Sequence, residues 1–230
     1  MANITYQHSG LGTLGTGLQT SWSQVHSQAT GSIPGGALEP EIRVRVSTGR
    51  GGAAFQIYRS FVYFNTGFPA LGTITAASIT YSSVGVSAQA MATYTVVESN
   101  AFLNGTGALQ LSDFSSLPNT NVTFCGPFQW VANGSIATAT FNAAGISYLN
   151  STQPAVMATL NENYDQPNTT PPTFFSIDFA AQIAQGSSST VELNITYTPN
   201  PINEINTAAF STINEINTVA RSTISEVNTV

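Results

Sequence analysis

The last part of the chain repeats every eleven residues, and this repeat limits its fold more than any other feature of the sequence. Three copies, the last one cut short, run from Ile202 to Val230 as INEINTAAFST, INEINTVARST and ISEVNTV. Their apolar residues keep a 3-4-4 spacing, which holds one stripe of an α-helix apolar. The stripe consists of Ile202, Ile205, Ala209, Ile213, Ile216, Ala220, Ile224 and Val227. The pattern predicts a helical segment over residues 200–230.

This helix is expected to need a partner. A period of eleven is about 3.67 residues per turn, which predicts gentle right-handed coiling between helices. Asn and Thr fill many of the remaining positions, and both have poor helix propensity. We therefore expect an oligomerisation or attachment element, and a homotrimer in particular, because Ile-rich stripes favour more than two strands. The alternative that the Asn and Thr content favours is a disordered or β-like tail.

The chain carries unusually few charges. Of its 230 residues, 7% are charged, and all five basic residues are arginine. Typical soluble domains have about 25% charged residues. The net charge of -6 argues against a nucleic-acid partner, which would require a basic face. Solubility must come from Ser, Thr, Asn and Gln, as in proteins of extracellular and particle surfaces.

The N-terminus predicts no secretory signal. MANITYQHSG lacks a basic start and an apolar run of sufficient length, and no stretch of the chain approaches a membrane span. A virion surface protein that is assembled in the cytoplasm and released by lysis fits both this terminus and the composition. The alternative is an extracellular protein whose signal has been removed.

Residues 41–199 are predicted to form short strands. In EIRVRVS, Ile42, Val44 and Val46 alternate with arginines. The next segment, FQIYRSFVYFNT, is apolar on both faces, which is typical of a central strand. Its Arg59 would be buried and would require a carboxylate or carbonyl partner.

Eight or so such strands follow one another with turns between them. AAGISYLN is expected to form a short helical turn whose Ile146 and Leu149 reach the core. The predicted fold is an all-β, antiparallel, jelly-roll-like β-sandwich over residues 41–199. Residues 1–40 are rich in Gly, Ser and Thr and are predicted to form an N-terminal arm, with Trp22 as its packing anchor.

Few residues suggest chemistry. Both histidines, His8 and His26, lie in the predicted arm, so we expect two solvent-facing imidazoles, no enzyme and no cofactor. The single cysteine, Cys125, is expected to be buried and unreactive. Glu162 and Asp165, with Asp178 further on, are weak calcium candidates, and solvated loop acids are the alternative.

Aromatic rings can stack on sugars, and Trp130 and Tyr164 are the candidate glycan-binding residues. The alternative is that Phe128 and Trp130 point inward on a strand.

Several segments together resemble the DNRLRE-type or carbohydrate-binding-module-like β-sandwich domains of secreted and phage-associated proteins. The similar segments are YRSFVYFNT (58–66), ITAASITY (74–81), TYTVVESNAF and LSDF (93–102 and 111–114), AGISYLN (144–150) and LNITYT (193–198). The resemblance implies the fold and a role as an appended, non-catalytic module.

These observations predict a structural or interaction protein, most simply a virion surface fibre or decoration protein. Its β-sandwich head would be joined to a self-associating C-terminal segment, and its partners would be copies of itself and other particle proteins. The alternative is a carbohydrate-binding or adhesive module of an extracellular protein.

Overall fold

The computed structural model describes residues 1–32, 41–65, 72–86, 92–103, 107–129, 134–152, 154–174, 176–183 and 191–199. Within them the strands are β1 (Ala2–Gln7), β2 (Gly10–Gly15), β3 (Glu41–Gly49), β4 (Gly52–Phe64), β5 (Gly72–Val86), β6 (Tyr94–Glu98), β7 (Thr123–Phe128), β8 (Ile136–Thr140), β9 (Ala155–Asn161), β10 (Ile177–Ile183) and β11 (Val191–Pro199). The helical elements are α1 (Trp22–His26), a 3₁₀ helix (Leu111–Ser115) and α2 (Ala143–Ser151).

The strands form two curled sheets, and every strand pair among the described residues is antiparallel. Sheet 1 contains β1, β11, β5 and β8. Sheet 2 contains β10, β3, β4, β9, β6 and β7, with β2 also paired to β4. The long strand β5 joins the sheets, because its first part pairs with β11 and its end pairs with β10. The prediction of an antiparallel all-β sandwich is confirmed at this level.

One core cluster lies between the two sheets. The rings of Tyr81 from sheet 1 and Phe128 from sheet 2 stack with their centroids 5.5 Å apart. The Tyr81 hydroxyl lies 2.8 Å from that of Thr159, which links the sheets by a hydrogen bond. Helix α2 adds the fully buried Leu149 and the partly buried Ile146 to this cluster, as the sequence predicted.

A second core cluster lies on the other face of sheet 2. It includes Phe55 and Phe61 from β4 and is covered by Trp22 of α1 and Phe114 of the 3₁₀ helix. The Trp22 ring is 5% exposed and meets Phe55 edge-on, with 5.9 Å between ring centroids. The prediction that Trp22 is a packing anchor is confirmed.

Strand β4 is apolar on both faces because it separates the two clusters. Ile57 and Phe61 belong to the second cluster, whereas Val62 and Phe64 belong to the first. The sequence-based prediction of a strand buried on both sides is therefore confirmed.

Residues 1–32 differ from the predicted arm, because they are part of the sheets. Strand β1 pairs with β11 from Ala2↔Tyr197 to Gln7↔Glu192, and β2 pairs with β4. The glycines that suggested a loop serve close packing: a Cβ on Gly15 would lie 2.1 Å from the Tyr58 ring. Glycine is thus required in β2 because the aromatic ring of the neighbouring strand occupies the space of a side chain.

The C-terminal repeat lies outside the described residues. Strand β11 ends at Pro199, three residues before the first residue of the apolar stripe, Ile202. The helix over residues 200–230 and the role of its stripe remain predictions.

Candidate functional site

The most buried ion pair in the described part of the chain joins Arg59 of β4 and Asp165 of the loop after β9. The two side chains are 3% and 1% exposed. Arg59 donates from Nε and Nη2 to the two carboxylate oxygens, at 3.0 and 2.7 Å. Its Nη1 donates to the carbonyl oxygen of Phe114 at 2.8 Å, and its guanidinium carbon lies 4.3 Å from the centroid of the Phe114 ring. Each of the three guanidinium nitrogens thus donates a hydrogen bond, and burial of this charge requires such pairing.

Helix α1 is bonded to the same loop. His26 Nε2 lies 2.8 Å from the backbone oxygen of Asp165 and 3.5 Å from its Oδ1. Because a carbonyl oxygen can only accept, Nε2 carries the proton. Trp22 Nε1 donates to Asn168 Oδ1 at 3.0 Å. The expectation of a solvent-facing His26 is wrong, since its side chain is 19% exposed and hydrogen-bonded.

These contacts form a cross-link between four parts of the chain: α1, β4, the 3₁₀ helix and the loop after β9. We call the set formed by His26, Arg59, Phe114 and Asp165 the Arg59 cluster. Both oxygens of the carboxylate accept from the guanidinium, so the arrangement fixes the loop in place and presents no activated nucleophile. The sequence predicted that Arg59 needs a partner, but it could not identify Asp165, which is 106 positions away.

The calcium candidates take other roles. Asp165 faces a guanidinium, whose positive charge disfavours a cation at the same oxygens. Glu162 is partly exposed on the same loop. Asp178 lies on β10 and bonds a different arginine. Among the described residues, no three His, Cys, Asp or Glu side chains are grouped so that they could hold a metal ion.

A second charged cluster lies where β3, β4 and β10 meet. Arg43 Nε donates to Asp178 Oδ1 at 2.7 Å, and Arg43 Nη1 lies 3.3 Å from Glu41 Oε1. The Tyr58 ring centroid is 5.8 Å from the guanidinium carbon. Burial raises the pKa of Glu41, and the neighbouring Arg43 partly offsets this effect. One guanidinium thus holds two carboxylates, of which the Asp178 side chain is the more exposed, at 38%.

Of the two candidate glycan-binding residues, Tyr164 lies within the described part of the chain and Trp130 does not. Tyr164 is partly buried, and its ring stacks on Phe179 with centroids 5.7 Å apart and an angle of 20°. Trp130 lies outside the described residues. Phe128, its neighbour on the chain, is 6% exposed and points inward, as the alternative predicted.

Cys125 is a free thiol within the first core cluster. It is 1% exposed, and burial raises its pKa well above the usual value. The thiolate is the reactive form of cysteine. The sequence-based expectation that Cys125 is buried is therefore confirmed, and its raised pKa disfavours the reactive form.

Comparison with known proteins identifies no relative of this chain. No protein-family model matches the chain, and a search of curated proteins finds no match. The resemblance to DNRLRE-type domains stays a prediction. No helix in the described part of the chain is long and apolar enough to cross a membrane.

Proposed function

We propose that this chain is a non-catalytic structural or interaction protein of a particle surface, of the virion fibre or decoration class. A jelly-roll-like head over residues 1–199 is joined to a self-associating segment over residues 200–230. The observation that carries the proposal is the eleven-residue repeat, because its apolar stripe requires a partner helix.

The architecture of the head supports an attached role. Strand β11 lies between β1 and β5 in sheet 1 and ends three residues before the stripe begins. The head is thus joined to the repeat through a strand with neighbours on both sides, without a long linker. The low charge content and the Ser-, Thr- and Asn-rich composition support an exposed location on a particle.

The first prediction concerns the stripe. We expect Ile213→Asn with Ile216→Asn in the full chain to reduce the assembly to smaller species, because amides on the stripe would have to be desolvated between helices. Sedimentation velocity and native mass spectrometry measure the mass.

The matched control is Phe210→Asn with Val219→Asn, which replaces two apolar residues off the stripe. It should leave the mass unchanged. A wild-type chain that is monomeric, or equal effects of the two double variants, would contradict the proposal.

A particle location is tested separately. Antibodies raised against the purified chain should label intact particles from the source culture in immuno-electron microscopy. Labelling of cell-associated matrix, with none on particles, would favour the extracellular alternative.

A carbohydrate-binding or adhesive module is the second candidate, and the stacked ring of Tyr164 favours it. A partly exposed ring held flat on Phe179 is a surface on which a pyranose could stack. If the candidate is right, Tyr164→Ala and Trp130→Ala should each weaken binding on a glycan array at least tenfold. Tyr197→Ala, which changes a partly buried tyrosine on sheet 1, serves as the control. A wild-type chain with no glycan hits would exclude this candidate.

A further inference from the structure

Strand β1 ends the strand order of sheet 1, and no described strand pairs with one of its edges. Among the described residues β1 pairs with β11 and with no other strand. His8 N donates to Val191 O in the same register, which makes the even-numbered residues of β1 the ones hydrogen-bonded to β11. The backbone N–H and C=O groups of Asn3, Thr5 and Gln7 therefore point away from β11.

The side-chain contacts confirm this alternation. Thr5 Oγ1 donates to Asn194 Oδ1 at 2.6 Å, and Gln7 Nε2 donates to Glu192 Oε1 at 2.9 Å. Such close cross-strand contacts are typical of the non-hydrogen-bonded pairs of an antiparallel ladder.

Strand β1 lacks three of the features by which proteins block strand addition, namely charge, proline and a β-bulge. Its sequence, ANITYQ, contains no charge and no proline, and its register with β11 is continuous. At the end of the path through both sheets, in sheet 2, β7 contains Pro127, and its register with β6 shifts twice. The contrast indicates that the edge of β7 is protected, whereas that of β1 is available.

We propose that β1 pairs with β1 of a second copy of this chain, antiparallel, about a twofold axis at Thr5. In this register Asn3 faces Gln7, Thr5 faces Thr5, and Ile4 faces Tyr6. The outward backbone groups of residues 3, 5 and 7 then meet their counterparts as hydrogen-bonded pairs. Apolar residues meet apolar residues on the core side, amides meet amides on the outer side, and no like charges meet. The strand is thus complementary to itself, which selects a second copy as the occupant.

This contact is independent of the C-terminal stripe. A pairing of six residues buries less surface than the roughly 1,200–2,000 Å² of stable interfaces. We therefore expect the fraction of paired chains to rise with protein concentration. It joins two chains, or two stripe-held assemblies, and doubles their mass.

A charge-complementation experiment tests the pairing in the full chain. Thr5→Lys and Thr5→Glu should each halve the mass of the largest assembly in a concentration series, because like charges would meet on the axis. An equimolar mixture of the two variants should restore the doubled mass. Thr138→Lys and Thr138→Glu, at an exposed threonine of β8 in the same sheet, should leave the mass unchanged. Mass photometry and sedimentation velocity measure these values.

Two outcomes would overturn the proposal: masses that do not respond to either Thr5 variant, or a mixture that fails to restore doubling. In the Ile213→Asn, Ile216→Asn background we expect the β1 contact to give a dimer, and Thr5→Lys to convert that dimer to a monomer. This result would show that the contact does not depend on the stripe. If the charged variants fail to fold, Thr5→Cys decides the question, since the wild-type thiol of Cys125 is buried. Cα atoms about 5.5 Å apart in a hydrogen-bonded pair are within disulfide range. Absence of a covalent dimer under oxidising conditions would reject the pairing.

Discussion

Arg59 lies where four segments of the chain meet, and each of its bonds reaches a segment distant in sequence. Two of its nitrogens donate to Asp165 and a third to the carbonyl oxygen of Phe114, while the aromatic ring of Phe114 lies 4.3 Å from the guanidinium carbon. In a chain with five basic residues, one is placed almost wholly out of solvent. At the residue scale, the buried ion pair of Arg59 and Asp165 holds loops against a sheet.

Breaking this pair should be costly. We expect Asp165→Asn to lower the free energy of unfolding by about 3–5 kcal/mol, because it leaves the buried Arg59 without a countercharge. Urea denaturation followed by tryptophan fluorescence measures the loss, and Trp22 lies next to the cluster.

Asp178→Asn is the matched control, since it removes a carboxylate from an arginine at a more exposed site. Its cost should be about 1 kcal/mol or less. The double variant Arg59→Met, Asp165→Leu should be more stable than Asp165→Asn, because no charge stays buried. Equal losses for Asp165→Asn and Asp178→Asn would contradict the assigned role of the Arg59 cluster.

At the scale of elements, the packing of β2 against β4 depends on the lack of a side chain at Gly15. Tyr58 of β4 lies over Gly15, whose register partner it is. The strand is therefore rich in glycine for reasons of packing, although glycine usually weakens a strand.

A substitution at Gly15 tests this packing. Gly15→Ala should destabilise the protein by about 1–3 kcal/mol, because its Cβ would overlap the Tyr58 ring and force the ring to move. Thermal unfolding followed by circular dichroism measures the effect.

Gly49→Ala is the control, since a Cβ at Gly49 meets nothing within 4 Å. It should be neutral or slightly stabilising. A Gly15→Ala variant as stable as Gly49→Ala would show that β2 is not packed against Tyr58 as described.

At the scale of the whole molecule, the sequence predicts the elements that alternate and misses those in which glycine hides the pattern. Alternation of Ile42, Val44 and Val46 was sufficient to predict β3, and the two apolar faces around Arg59 predicted a central strand. Strand β2 is missed, because GLGTLG has the composition of a loop and becomes a strand only when β4 supplies a neighbour. Strand β1 contains no glycine, and it is missed because the whole Gly-, Ser- and Thr-rich stretch around it predicts an arm.

The site was predictable only in part for a related reason. Burial of Arg59 follows from its apolar neighbours on the strand, whereas the identity of its partner depends on how a loop returns after more than a hundred residues. The sequence predicts a solvent-facing His26 side chain, because His26 lies in the predicted arm and is too far from Asp165 in sequence to indicate their contact. Local pattern determines which groups need partners, and the topology of the chain determines which partners they obtain.

The position of β11 has a mechanical consequence. It is bonded to β1 on one side over six residues and to β5 on the other over nine, and the repeat follows its C-terminal end in the sequence. A force applied along β11 from that end loads both ladders in shear, so that many hydrogen bonds must yield together. The N-terminal strand shares this load, since β1 pairs with β11. An N-terminal strand that composition alone would assign to a loose arm therefore shares the load on β11, and under the proposed function it would be part of the anchor of the head.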